Sequence, residues 1–140
     1  MRGILRMALI GCVVLGSVSV ADEAQATPGT AVTARTVWRW TVDDTDYLLR
    51  EITIAPGGST GWHRHPGLVF GNVREGTLTH QLSDCTTRHR YTAGESLMED
   101  PDEPRSHVGR NEGSGPLILD VVYATPHGKP ISLDVPDPGC

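Results

Sequence analysis

His63-Arg64-His65 sets two imidazoles at i and i+2, and on an extended strand such residues project from the same face. His107 follows beyond several turn-rich segments. A third imidazole arriving from another strand would complete a three-nitrogen half-cage. Imidazole suits Zn, Fe, Ni and Cu, and three protein ligands leave positions open for water or substrate. The bland alternative is that these are exposed polar residues of strands; spacing and shared face favour His63, His65 and His107 as metal ligands. His80, His89 and His127 lack ligand spacing and read as surface residues, although His80 follows Gly76 on a strand and could face a cavity. Glu51, Glu99 and Asp100 each offer a carboxylate. Carboxylates at strand ends are usually solvated, and none is assigned to the site.

The elements that must position these residues read as short strands. Residues 32–42 alternate, with Val32, Ala34, Thr36, Trp38, Trp40 and Val42 expected on one face. Further β-like runs cover 47–55, 60–65, 68–73, 77–82, 88–91, 96–99, 106–109 and 117–124, separated by Gly, Pro and Asp. The run at 47–55 is expected to end at Pro56-Gly57-Gly58. Nothing after residue 26 shows helical periodicity over ten residues. About eight short antiparallel strands with frequent turns imply an all-β sandwich or barrel. Trp38, Trp40 and Trp62 read as packing residues, with Trp62 facing away from the metal because it alternates with His63. Gly57, Gly76 and Gly94 read as turn glycines.

The 140 residues argue for one domain, preceded by a removable segment. Arg2 and Arg6 are followed by an almost wholly apolar run over 7–20 and by Ala24-Gln25-Ala26, the pattern of a secretory signal peptide over residues 1–26. The run falls short of the roughly 20 residues a membrane span needs. Leu9-Ile10-Gly11-Cys12 is similar to a lipoprotein box, but the apolar run continues past it. Cleavage after Ala26 would leave residues 27–140, or 140 − 26 = 114 residues, as one domain. It removes two basic and two acidic residues, so the formal charge stays at −5. A mildly acidic domain is a poor partner for nucleic acid or an anionic membrane. Export places the protein in a secreted or periplasmic, oxidising setting. The remaining even pair, Cys85 and Cys140, is then most simply a disulfide. Two free thiols, one of them a metal ligand, is the alternative, and a turn and the last residue of the sequence are poor places for ligation.

Taken together, the motifs resemble those of the cupin superfamily. Its first motif is Gly, five residues, His-x-His, three or four residues, Glu, six residues, Gly. Gly57, His63, His65 and Gly76 match it, and Gly61-Trp62-His63-Arg64-His65-Pro66-Gly67 is similar to small single-domain cupins. Its second motif is Gly, then Pro, a short loop, His, three residues, Asn. Gly94, Pro101, His107 and Asn111 match, with a slightly long loop and Glu103 where Gly is usual. The two motifs span residues 57–111. One departure matters: the first-motif Glu falls at Val69, or at Phe70 with the longer spacing, and neither can ligate.

The resemblance implies a cupin double-stranded β-helix, or jelly-roll barrel. It holds one divalent transition metal ion (Zn, Fe, Mn, Ni or Cu) on three histidines without the usual glutamate. That variant is similar to the site of thiol and diketone-cleaving dioxygenases, both cupins. A site with one less negative charge should favour a small anionic or chelating substrate. The expected function is therefore a secreted metal-binding cupin acting as a small metalloenzyme of dioxygenase-like or Lewis-acid type. The alternative is a non-catalytic small-molecule or metal-binding cupin. A carboxylate near the metal and a polar inner wall would favour catalysis; a purely apolar wall would favour binding. A homodimer paired through the strand at residues 32–42 is the expected assembly.

Overall fold

A computed structural model describes residues 27–101 and 105–140. The signal peptide expected over 1–26, and Glu103 of the second motif, lie outside the described residues. Ten strands and no helix occur among the described residues. They are β1 (Thr30–Val42), β2 (Thr45–Ser59), β3 (His63–Arg64), β4 (Leu68–Glu75), β5 (Thr77–Leu82), β6 (Arg88–Thr92), β7 (Ser96–Glu99), β8 (His107–Arg110), β9 (Leu117–Pro126) and β10 (Leu133–Asp134).

All strand pairings are antiparallel. One layer runs β1-β2-β9-β4-β7 and the other β6-β5-β8-β3-β10; Ser59 of β2 pairs with Arg110 of β8 to join them. Alternation decides which side chains enter the space between the layers. From β2 these are Leu48, Ile52 and Ile54; from β9, Leu117, Leu119, Val121 and Tyr123; from β4, Val69 and Val73; from β5, Leu78. The result is the jelly-roll barrel expected from the sequence, with an apolar core filling one part of it and histidines the other.

Several local expectations fail. The register between β1 and β2 shifts between Thr36 and Trp38, a bulge at Val37. Val32 and Ala34 therefore lie opposite inward Ile54 and Ile52, whereas Trp38 and Trp40 lie opposite outward Leu49 and Tyr47. The six residues do not share one face, and Trp38 and Trp40 are 43% and 66% exposed rather than packed in the core. Trp62 does pack: it is fully buried, with the Arg110 guanidinium 5.6 Å from its ring centroid. Strand β2 runs through Pro56-Gly57-Gly58 to Ser59, because Gly57 and Gly58 exchange backbone hydrogen bonds with Asn111. Conversely, only His63 and Arg64 of the run at 60–65 are strand, and β10 was not expected at all. A disulfide joins Cys85, in the β5–β6 loop, to Cys140, with 5.5 Å between their Cα atoms.

Candidate metal centre

Two glycines bracket the paired histidines. Gly61 has φ +73° and its carbonyl accepts the Nδ1–H of His63 at 2.8 Å. A side chain there would be strained by the backbone angle alone. Gly67 passes so close to β9 that a Cβ would lie 2.2 Å from the Ala124 carbonyl oxygen. The chain can therefore turn tightly from His65 into β4. His65 donates its Nδ1–H to the Ile131 carbonyl at 2.6 Å. On β8, His107 pairs directly with His63 of β3, so both rings enter the barrel on the same side.

The structure brings His63, His65 and His107 together. Their ring centroids lie 4.5 to 5.2 Å apart, and one nitrogen from each falls within 4.8 Å of the others. His80 and Glu99 join them, and with His107 they form a second potential ligand group. His80, on β5, is 8% exposed and faces inward, not the surface as expected. Its ring is 4.8 Å from that of His107. Glu99 reaches the cluster from β7 in the opposite layer. Its Oε2 is 3.1 Å from His65 Nε2, and its Oε1 is 3.0 Å from His80 Nε2 and 3.3 Å from His107 Nε2. The last contact has the distance of an ion pair but not the alignment of a hydrogen bond, so the buried His107 Nε2 has no hydrogen-bond partner.

The other candidates lie elsewhere. Glu51 is on the outer face of the sheet, bound to Arg35 and Arg74. His127 is exposed and paired with Asp46 at 2.9 Å. Asp100 and His89 line the rim of a cavity of about 340 Å³ that opens from the cluster and also touches Arg64, Tyr91 and Met98. A smaller cavity of about 60 Å³ lies beneath the cluster, floored by Ile52, Leu78, Leu97, Leu119 and Val121.

Burial, with the charge of neighbouring imidazoles, disfavours the protonated form of His63 and His107. Burial, followed by the charge of His65, lowers His63, and burial lowers His107 to about 3. Burial pushes the Glu99 carboxyl up, but hydrogen bonds from His65 and His80 and the nearby His107 outweigh it, leaving the group below its ordinary range. Burial and the Glu99 charge raise the neighbouring Tyr123 hydroxyl to about 12. His63 and His65 both spend their Nδ1 hydrogens on backbone carbonyls, so Nε2 is the nitrogen that carries a lone pair whenever either ring has a single proton. A lone pair on His65 Nε2 facing an ionised carboxylate oxygen at 3.1 Å is repulsive unless a proton or a cation lies between them. Converging imidazole nitrogens, a carboxyl held below its ordinary range and an orphaned buried nitrogen fit a divalent ion.

A family model described as "Cupin domain" matches residues 50–123, more than half of the chain. Among solved structures, the polyketide cyclase RemF from Streptomyces resistomycificus superposes with a TM-score of 0.62 at 21% identity, covering 83% of this chain and 84% of that one. The Cupin_2 domain of an XRE family transcriptional regulator from Enterobacter cloacae gives 0.55 at 17%, covering 70% and 100%. The oxalate decarboxylase of Lactobacillus farciminis, as its formate complex, gives 0.54 at 16%, covering 70% of this chain and 33% of that one. At these identities the likeness is one of fold. Among curated proteins no sequence matches.

Proposed function

This chain belongs to the cupin family, and from that premise we propose that it is a secreted metalloprotein whose His63, His65 and His107 hold one divalent transition metal ion. It acts as a small metalloenzyme on a small anionic or chelating substrate. The observation that carries the reading is the convergence of three buried imidazoles on a buried carboxylate, with His107 Nε2 left unpartnered. An ion bound there supplies Lewis acidity or, if redox-active, electron chemistry. The chain's own residues do the rest. Arg64, which has no side-chain partner among the described residues, lies at the cavity rim where it would attract an anionic ligand. Tyr91 adds a hydroxyl at the same rim. The apolar floor beneath the cluster keeps water from approaching from below.

A carboxylate inside the site and a polar rim favour catalysis over passive binding. The apolar floor is the feature that favours a non-catalytic binding module. The disulfide supports an oxidising compartment and hence export. A homodimer would pair through β1, which among the described residues hydrogen-bonds to β2 alone and exposes Trp38, Trp40 and Val42. The test is elemental analysis of the exported protein beside a His107→Ala variant. One divalent metal per chain, lost in the variant, is expected. No metal in the wild type, even after reconstitution with each candidate ion, overturns the reading.

A further inference from the structure

We infer that Glu99 supplies the carboxylate that the first cupin motif lacks, so that the metal site of this chain is built from three histidines and a glutamate donated by a different strand. The inference rests on the metal-site reading above. The position where a ligating glutamate would fall in the motif is Val69, on β4. Val69 is buried and lines the same small cavity as His63, His65, His80 and His107. In the β4–β7 ladder, Val69 is paired directly with Glu99. Directly opposed residues in an antiparallel pair project from the same face with Cβ atoms about 4.5–5.5 Å apart. The carboxylate has therefore moved across one rung of the sheet while keeping its aim into the barrel.

Three features separate this from an incidental surface acid. The Glu99 side chain is only 15% exposed, its two oxygens lie within 3.3 Å of three imidazole nitrogens, and among the described residues no arginine or lysine forms an ion pair with it. An acid buried without a fixed cation is costly unless positive charge is brought to it. His80, at 3.0 Å from Oε1, orients the group. A carboxylate ligand also changes the charge of the loaded site. A divalent ion on three neutral histidines carries two positive charges; with Glu99 the site carries one.

The experiment measures affinity for Mn²⁺ and Zn²⁺ by titration calorimetry on the purified protein, without any assay of activity. The variants are Glu99→Gln, Glu99→Val, and Val69→Glu combined with Glu99→Val, each checked by thermal unfolding. Loss of a ligand should exceed the roughly 10–100-fold cost of an outer partner, so both Glu99 variants should bind at least about 100-fold more weakly. The double variant returns a carboxylate to the directly opposed position and should recover most of that loss. Unchanged affinity in a folded Glu99→Gln protein overturns the inference. If that variant does not fold, the double variant decides. Recovery toward wild type upholds the inference, whereas a folded protein binding as weakly as His107→Ala overturns it. A wild type that binds neither ion removes the metal-site reading as well, whereas wild-type binding lost in His107→Ala but kept in Glu99→Gln removes this inference alone.

Discussion

Two charged clusters sit on opposite faces of the same sheet, and they solve the same electrostatic problem in opposite ways. On the outer face, Glu51 is held by Arg35 at 2.8 Å and by Arg74, which also reaches Asp120 at 3.3 Å. Every charge there has a partner of fixed opposite sign, and water screens what remains. On the inner face, the ion-pair partners of Glu99 among the described residues are all imidazoles. The hydrogen bonds from Arg35 and Arg74 bring the Glu51 carboxyl down to about 2, against a small opposing effect of burial. Glu99 is lowered although burial works strongly against it. The outer cluster is therefore complete as built. The inner one balances only with a proton or a metal ion.

The sharpest way to break that contrast is to remove an inner ligand. Replacing His65 with alanine should weaken metal binding by more than about 100-fold, beyond the cost of losing an outer-shell partner. Binding within a few-fold of wild type would show that the inner cluster does not depend on an ion. Titration calorimetry reads this directly.

Acid should separate the clusters next. His63 and His107 lie below their ordinary value of 6.5 when folded, so the unfolded chain takes up protons first and stability falls as pH drops below 6.5. Glu51, ordinarily near 4.5 and about 2 when folded, adds to the loss only at lower pH. His127, raised by its exposed partner Asp46, has the opposite sign and is removed from the comparison by His127→Gln. In that background the metal-free protein should unfold at progressively lower temperature between pH 6.5 and 5. A flat midpoint over that interval would contradict the burial of neutral imidazoles.

Asn111 offers an intermediate case, a buried polar group satisfied entirely from within the chain. Its amide donates to the carbonyls of Ile54 and Gly115, both at 2.8 Å, and its Oδ1 accepts from Gly113 at 3.0 Å. Asn111→Ala should cost about 1–3 kcal/mol in denaturant unfolding, the range for stranding buried partners, with metal stoichiometry unchanged. A loss of metal in a folded variant would instead tie this residue to the site. The smallest effect belongs to Glu51→Gln. Its unfolding midpoint in 1 M salt should match that of the wild type, because exposed ion pairs are screened. A large shift there would mean that the outer cluster, too, carries structural weight.

The legible part of this molecule was whatever local alternation and turn chemistry decide. His63, His65 and His107 are visible because an i, i+2 pair and a downstream histidine fall into two motifs around turn glycines. Glu99 cannot be assigned from local pattern, because its place depends on the rung of the β4–β7 ladder that sets it against Val69, 30 residues earlier. The sequence leaves His80 between surface and cavity for a similar reason: the face it presents is fixed by the pairing of β5 with β8, where it lies opposite Gly109. The bulge at Val37 is equally silent, since a single extra residue reverses the faces of Trp38 and Trp40 without altering composition. Strand β10 has two residues and exists only because β3 is there to receive it.

That short strand belongs to a strap that crosses the site from outside. Ile131 accepts the Nδ1–H of His65, Asp134 pairs with His63, Val135 donates to the Trp62 carbonyl at 2.9 Å, and the Cys85–Cys140 bond tethers the far end. Two of the three histidines proposed to hold the metal are thus braced by a segment that the disulfide pins down. Whatever tightens the strap must tighten the ligands, and by thermodynamic reciprocity an ion on those ligands must resist the strap's release. If the site takes up a metal, thiol oxidation and metal loading are thermodynamically coupled. For an exported chain with a loaded site, the metal supply would be that of the compartment where the disulfide closes, and the reduced chain would be a weaker competitor for ions met earlier.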